Sequence, residues 1–91
     1  MATYTPQVSW AIAERWDSEY SLRNIGSDRA TKVNIDEART GGILKDVPTD
    51  ADIEPGASVR FLIAGATGSS KPGEVFVTWE GGPGPVAVPV P

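Results

Sequence analysis

The densest set of potential ligand side chains in the sequence is Asp50, Asp52 and Glu54, three acids at a spacing of two. Such acids could offer oxygens to calcium, but the run lacks the central glycine and the distant bidentate glutamate of the twelve-residue calcium loop. A solvated acidic loop is the plainer reading. The run Gly65-Ala-Thr-Gly-Ser-Ser-Lys-Pro-Gly73 has the outline of a phosphate-binding loop. Ser70 stands where the second glycine is needed and Pro72 where a magnesium-binding hydroxyl is needed. Pro72-Gly73 also discourages the helix whose N-terminus would face the phosphate. We read a surface loop between strands. Two of the twelve acids could be nominated for glycoside hydrolysis, yet no spacing marks a pair, and a chain of 91 residues leaves little room for a cleft.

The composition excludes more than these motifs suggest. There is no histidine and no cysteine, which removes the Ser-His-Asp and Cys-His pairs, the usual zinc ligands and any disulfide. The expectation is a protein that is not an enzyme and carries no cofactor or metal. Eight basic residues against twelve acidic give a net charge of -4. The basic residues are scattered singly, which argues against a nucleic-acid partner, since phosphate affinity rests on clustered Lys and Arg. No apolar run approaches the roughly 20 residues that cross a bilayer. The start, Met-Ala-Thr-Tyr-Thr-Pro, shows no basic segment followed by an apolar one, so we expect a soluble chain without an export signal or membrane insertion.

With catalysis disfavoured, the residues that could act are those suited to a partner. Trp16 sits between charged neighbours Arg15 and Asp17 in what reads as a connection from Glu14 to Ser18. It could be a lid packed over one end of the domain, a stacking platform for a sugar, or an anchor for a protein. The lid is the ordinary role of a loop aromatic. Leu62 and Phe76 fall on strand faces where polar groups belong, so they too are candidate partner contacts, against the alternative of scattered surface apolar residues. Tyr4 and Pro6 lie in an extended N-terminal arm, residues 1–6, where Tyr4 offers a large anchor with two torsions.

The elements that position these residues are strands. Tyr20, Leu22 and Asn24 share one face of one run, Val33 and Ile35 one face of the next, with Gly26-Ser27-Asp28 as the turn between. The rest of the chain reads as segments packed on this pair. Val8, Trp10 and Ile12 alternate in a first strand. Glu37 to Gly42 reads as a turn-rich loop, and Ile43, Leu44 and Val47 as a short edge strand stopped by Pro48. Thr49 to Gly56 reads as a loop ending in a type II turn centred on Pro55-Gly56. Val59, Phe61 and Ile63 alternate clearly, as do Val75, Val77 and Trp79. Val86, Val88 and Val90 form a last strand that Pro89 and Pro91 confine to an edge. About seven antiparallel strands without a convincing helix indicate one all-β domain, residues 1–91, with an immunoglobulin-like sandwich architecture. Its expected core holds Trp10, Tyr20, Leu22, Val33, Ile35, Phe61, Val75 and Trp79, the two tryptophans filling the space of the missing inter-sheet disulfide.

Tyr20, Leu22, Asn24 and Gly26, then Ala30, Val33 and Ile35, then Ile53, Pro55-Gly56, Ser58 and Phe61, then Val75, Val77 and Trp79 together resemble bacterial immunoglobulin-like modules of the cell-adhesion-related (CARDB) kind, over roughly residues 18 to 80. The resemblance implies a module that spaces, adheres or ornaments. Sandwiches of this sort also ornament phage capsids and tails, where assembly is intracellular. The expected function is therefore a structural accessory protein on a larger assembly: a capsid decoration protein with the major capsid protein as partner and the virion surface as location. The alternative is a carbohydrate- or cell-surface-binding adhesion module using Trp16.

Overall fold

A computed structural model of the chain describes residues 7–16, 19–41, 43–64 and 72–91. Over these residues the chain is an antiparallel β-sandwich of two four-stranded sheets. The strands are β1 (Trp10–Trp16), β2 (Glu19–Asn24), β3 (Ala30–Ile35), β4 (Ile43–Lys45), β5 (Ala51–Ile53), β6 (Ser58–Ala64), β7 (Glu74–Thr78) and β8 (Val86–Pro89). The first sheet has the order β1-β2-β6-β4 and the second β5-β3-β7-β8. In the first sheet and in β3-β7-β8 this is the strand order of an immunoglobulin-like sandwich. β5 is the addition, pairing with β3 after the chain has already visited the other sheet at β4.

The alternation in β2, β6 and β7 does what period two requires. Tyr20, Leu22, Phe61, Ile63, Val75 and Val77 are buried between the sheets, joined by Ala30, Val33, Ile35, Ile53 and Val88. Burying such side chains contributes roughly 1.5 to 3 kcal/mol each before ordering costs. Trp10 and Trp79 are half-buried at the margin of this core. They meet edge to face with ring centroids 5.7 Å apart, joining the edge of one sheet to the far end of β7 in the other. The expected inter-sheet filling is thus a contact at one side of the sandwich. Trp10 buries its Nε1 there without an acceptor.

Strand β3 does not alternate throughout. Ala30 pairs with Ile53 and Val33 with Ala51, so β3 carries one residue more than its partner between those pairs. Lys32, at φ 52°, is the bulged residue. The bulge lets Ala30 and Val33, an odd step apart, both face the core. Lys32 Nζ lies 3.3 Å from Glu80.

Three elements depart from the sequence reading. β1 ends at Trp16 rather than before Glu14, so Trp16 belongs to a strand and not to a connection. β5 occupies the middle of the segment read as an acidic loop. Glu37–Thr40 forms a single-turn helix, α1, whose N-cap Asp36 accepts from Arg39 N–H at 3.1 Å. Other readings hold. Gly56 at φ 82° and the Ala57 N–H to Glu54 carbonyl bond of 3.0 Å form the type II turn at Pro55-Gly56. β4 stops early because Asp46 takes φ 55°.

The turn from β2 to β3 crosses between the sheets and is held by Asn24, which is fully buried. Its Nδ2 donates to the carbonyls of Asp28 (2.8 Å) and Ile53 (3.1 Å), and its Oδ1 accepts from Gly26 N–H (3.0 Å). Gly26 in turn lies against the incoming chain: a Cβ there would stand 2.2 Å from the Gln7 carbonyl oxygen. That oxygen accepts from Ser27 and Asp28 N–H. Asn24→Ala leaves one donor and two acceptors without their partner, so it should cost roughly 2 to 4 kcal/mol, read as a lower urea midpoint at unchanged slope. An unaltered midpoint would contradict this role. Separately, a double-mutant cycle on Trp10→Ala and Trp79→Ala should return a coupling of about 0.5 to 1.5 kcal/mol; additive losses would mean the two rings act independently.

Candidate functional site

Across the outer face of the first sheet, strand register builds one row from Trp16 through Glu19 and Leu62 to Lys45. Glu14 pairs with Tyr20 and Trp16 with Glu19, so β1 takes two steps where β2 takes one. This bulge around Arg15 reverses the phase of the strand. Trp10 and Ile12 face the core, and in unbroken alternation Trp16 would face it as well. Instead Trp16 stands on the outer face, 72% exposed. The lid expected from the sequence is therefore not formed.

Leu62 alternates out of the core between buried Phe61 and Ile63, as the sequence predicts, and is half-buried. Between it and Trp16, Glu19 pairs with Arg15 at 3.4 Å and with Arg60 at 3.8 Å. These pairs are partly solvated and add little stability. Their effect is to hold charges beside the apolar residues in fixed places. In the next row along, Ala13 and Ser21 offer small side chains near the indole, and Arg60 continues the row on β6. The result is a flat strip with an aromatic at one end, an aliphatic in the middle and charges around them.

Phe76 does not join this strip. It points outward from the second sheet, between buried Val75 and Val77, but the chain's own helix covers it. Arg39 Cζ sits 5.8 Å from the ring centroid, Phe76 N–H donates to Thr40 Oγ1 at 3.0 Å, and the Phe76 carbonyl accepts from Asp36 N–H at 2.8 Å. This apolar residue is the seat of α1 rather than an open contact. Tyr4, Pro6 and most of the Gly65–Gly73 run lie outside the described residues.

The acidic group is spoken for. Asp52 and Glu54 both pair with Arg29, the latter at 3.2 Å from Nε. The hydrogen bond that Arg29 donates to Asp52, with the charges of Asp52 and Glu54, raises the Arg29 pKa above its ordinary value. Asp50 turns to Asn34, whose Nδ2 donates to it and whose Oδ1 accepts from Asp50 N–H at 3.1 Å. Among the described residues no three metal-capable side chains gather in one place.

Sequence reasoning missed Ile25, which is 57% exposed. It follows buried Asn24 and pairs with Ser9 through an Ile25 N–H to Ser9 carbonyl bond of 2.9 Å. Continuing the register puts Ile25 on the same outer face as Trp16, at the opposite end of the β1-β2 pair. The alternation from Asn24 could have found it.

These placements separate two aromatics that the sequence treated alike. Trp16→Ala should leave the denaturation midpoint within about 0.5 kcal/mol of the parent, as surface changes do, whereas Phe76→Ala should cost roughly 1 to 3 kcal/mol by undoing the α1 contact. Equal losses in the two variants would refute the assignment. No family model, curated protein or solved structure matches the chain, so the surface itself carries the functional reading.

Proposed function

We propose that the chain is a non-enzymatic structural accessory that binds a larger protein assembly through the outer face of its first sheet. The observation that carries this reading is the bulge at Arg15, which sets Trp16 in solvent on one row with Leu62. A half-open strip with an aromatic anchor and charged flanks is the anatomy of a protein contact. Contact energy concentrates in such aromatic anchors, and the flanking Arg15, Glu19 and Arg60 supply orientation.

The most concrete form of the reading is a decoration protein on a phage capsid, with the major capsid protein as partner. Its support is the immunoglobulin-like strand pattern together with the absence of histidine and cysteine, which leaves little for catalysis. Tyr4 and Pro6 extend the proposed contact from the sequence alone. The same exposed indole favours one second reading, a carbohydrate-binding module in which a sugar face stacks on Trp16.

The test is reconstitution. Purified chain should bind saturably to undecorated particles from its source, co-sedimenting at fixed stoichiometry, and both Trp16→Ala and Leu62→Ser should raise the dissociation constant at least about tenfold. Particles that stay bare at saturating protein would overturn the reading. A polysaccharide that shifts tryptophan fluorescence saturably in the parent, but not in Trp16→Ala, would establish the second reading in its place.

A further inference from the structure

The four sheet edges of the sandwich differ in how they are closed. β4 and β5 are three-residue strands, too short to template much pairing, and β4 ends at Lys45 with Pro48 close behind. β8 is closed by its register. Val90 N–H donates to the Gly73 carbonyl, so Val86 and Val88 bond to β7 and Pro89 faces outward, where its missing N–H leaves no donor. Among the described residues, β1 has no such device over most of its length. It is a seven-residue edge strand, and Trp10 to Ala13 contains neither charge nor proline.

The parity of β1 shows which groups lie open. Ser9 bonds Ile25, so Ala11 and Ala13 direct their main-chain groups toward β2, while Trp10, Ile12 and Glu14 direct theirs away from it. These three residues are symmetric about Ile12. An antiparallel strand centred there uses every outward donor and acceptor, and the strand with that same spacing is a second β1.

We propose that the occupant of this edge is a second copy of the chain, joined across a two-fold axis at Ile12 to make one continuous eight-stranded sheet. Three features of the register favour this partner. Between its two ends the outer side of the seam carries only Ala11 and Ala13, so the middle of the two strands approaches without bulk. The uncharged run meets its own uncharged run, and Glu14 falls opposite the partner's Trp10 rather than the partner's Glu14. The bulge at Arg15 then brings Trp16 opposite the partner's Ser9, whose neighbour in the row is the partner's Ile25.

The two large apolar residues most exposed among the described residues, Trp16 and Ile25, are thereby brought into one row twice over. They stand about two strand spacings of roughly 4.8 Å apart, with only a serine between, within reach of an indole lying flat. An isologous contact of this kind is self-limiting, because it consumes the one edge left open among the described residues. The outer face also becomes a double strip on which Trp16 and Leu62 of both copies point the same way, so attachment to a repetitive assembly would gain from two-point binding. The pairing does not depend on what that face binds.

Sedimentation equilibrium of the full chain over a wide concentration range should show a reversible monomer–dimer equilibrium with no larger species. Glu14→Pro removes an outward N–H without taking a bond from β2 and should leave the chain monomeric with the parent's circular dichroism. Ala13→Lys, a charge on the seam, should raise the dissociation constant at least about tenfold and secures the test if the proline disturbs folding. Hydrogen exchange should protect the amides of Trp10, Ile12 and Glu14 at high concentration and release them on dilution. A chain monomeric at every concentration, or an Ala13→Lys or Glu14→Pro variant that dimerises as tightly as the parent, overturns the proposal. Loss of dimer in Glu14→Pro with particle binding retained at single-site affinity would separate this pairing from the attachment role.

Discussion

The buried carboxamide of Asn24 is the interaction on which the arrangement of both sheets depends. An amide in a core loses its water, and leaving its groups unpaired costs a few kcal/mol, so it is tolerated only where the surroundings answer it. Here they do. Its two donors take carbonyls from the turn after β2 and from the end of β5, and its oxygen takes Gly26 N–H. Its main chain meanwhile bonds Ala57 and Gly56 at the start of β6. One residue therefore fixes the exit of β2, the crossover to the second sheet, the place of β5 and the entry of β6. In a chain without cysteine, this hydrogen-bonded node does what a covalent link between sheets would otherwise do. The Gly26 approach extends it to the incoming segment, since the Gln7 carbonyl occupies the space that any Cβ would need.

Most of the sandwich was legible because its central strands obey a strict period. Tyr20, Leu22 and Asn24 alternate, as do Phe61 and Ile63, and Val75 and Val77; each such series can bury only one face. What was not legible follows from two kinds of local exception. β5 is three residues with a single large apolar side chain, and Asp52 within it disfavours a strand by propensity, so only its pairing with β3 makes it one. α1 is one turn long and too short to show a helical period; its only sequence signals are Asp36 as N-cap and Gly41 as terminator.

The second kind of exception is the bulge, and it decided the candidate site. A bulge inserts one residue and so inverts every inside-outside assignment beyond it, while the sequence around it reads as unbroken alternation. At Lys32 the inversion serves packing, because Ala30 and Val33 both reach the core. At Arg15 it works in the opposite sense, taking an indole that shares its parity with Trp10 and Ile12 and placing it in water. Leu62 needed no such knowledge, since it alternates against buried neighbours. The strip of Trp16 and Leu62 is therefore half legible: its aliphatic member follows from period two, and its aromatic member only from the register of β1 on β2.

That bulge also links the two surface features of the first sheet. Bulges near the end of an edge strand twist it and limit how far another strand can pair with it. In β1 the irregularity at Arg15 comes after the regular stretch from Trp10 to Glu14, so it bounds the open edge at the same point at which it turns Trp16 outward. A Trp exposed on the outer face of a sheet contributes little to folding and invites association. Placed beside the end of a short, uncharged, proline-free edge, it makes association directional: main-chain groups set the register, and the indole selects what lies two strands away. Unbroken alternation through Arg15 would turn Trp16 to the core side of β1, and the strip would lose its anchor while Trp10 and Ile12 kept their places against the core.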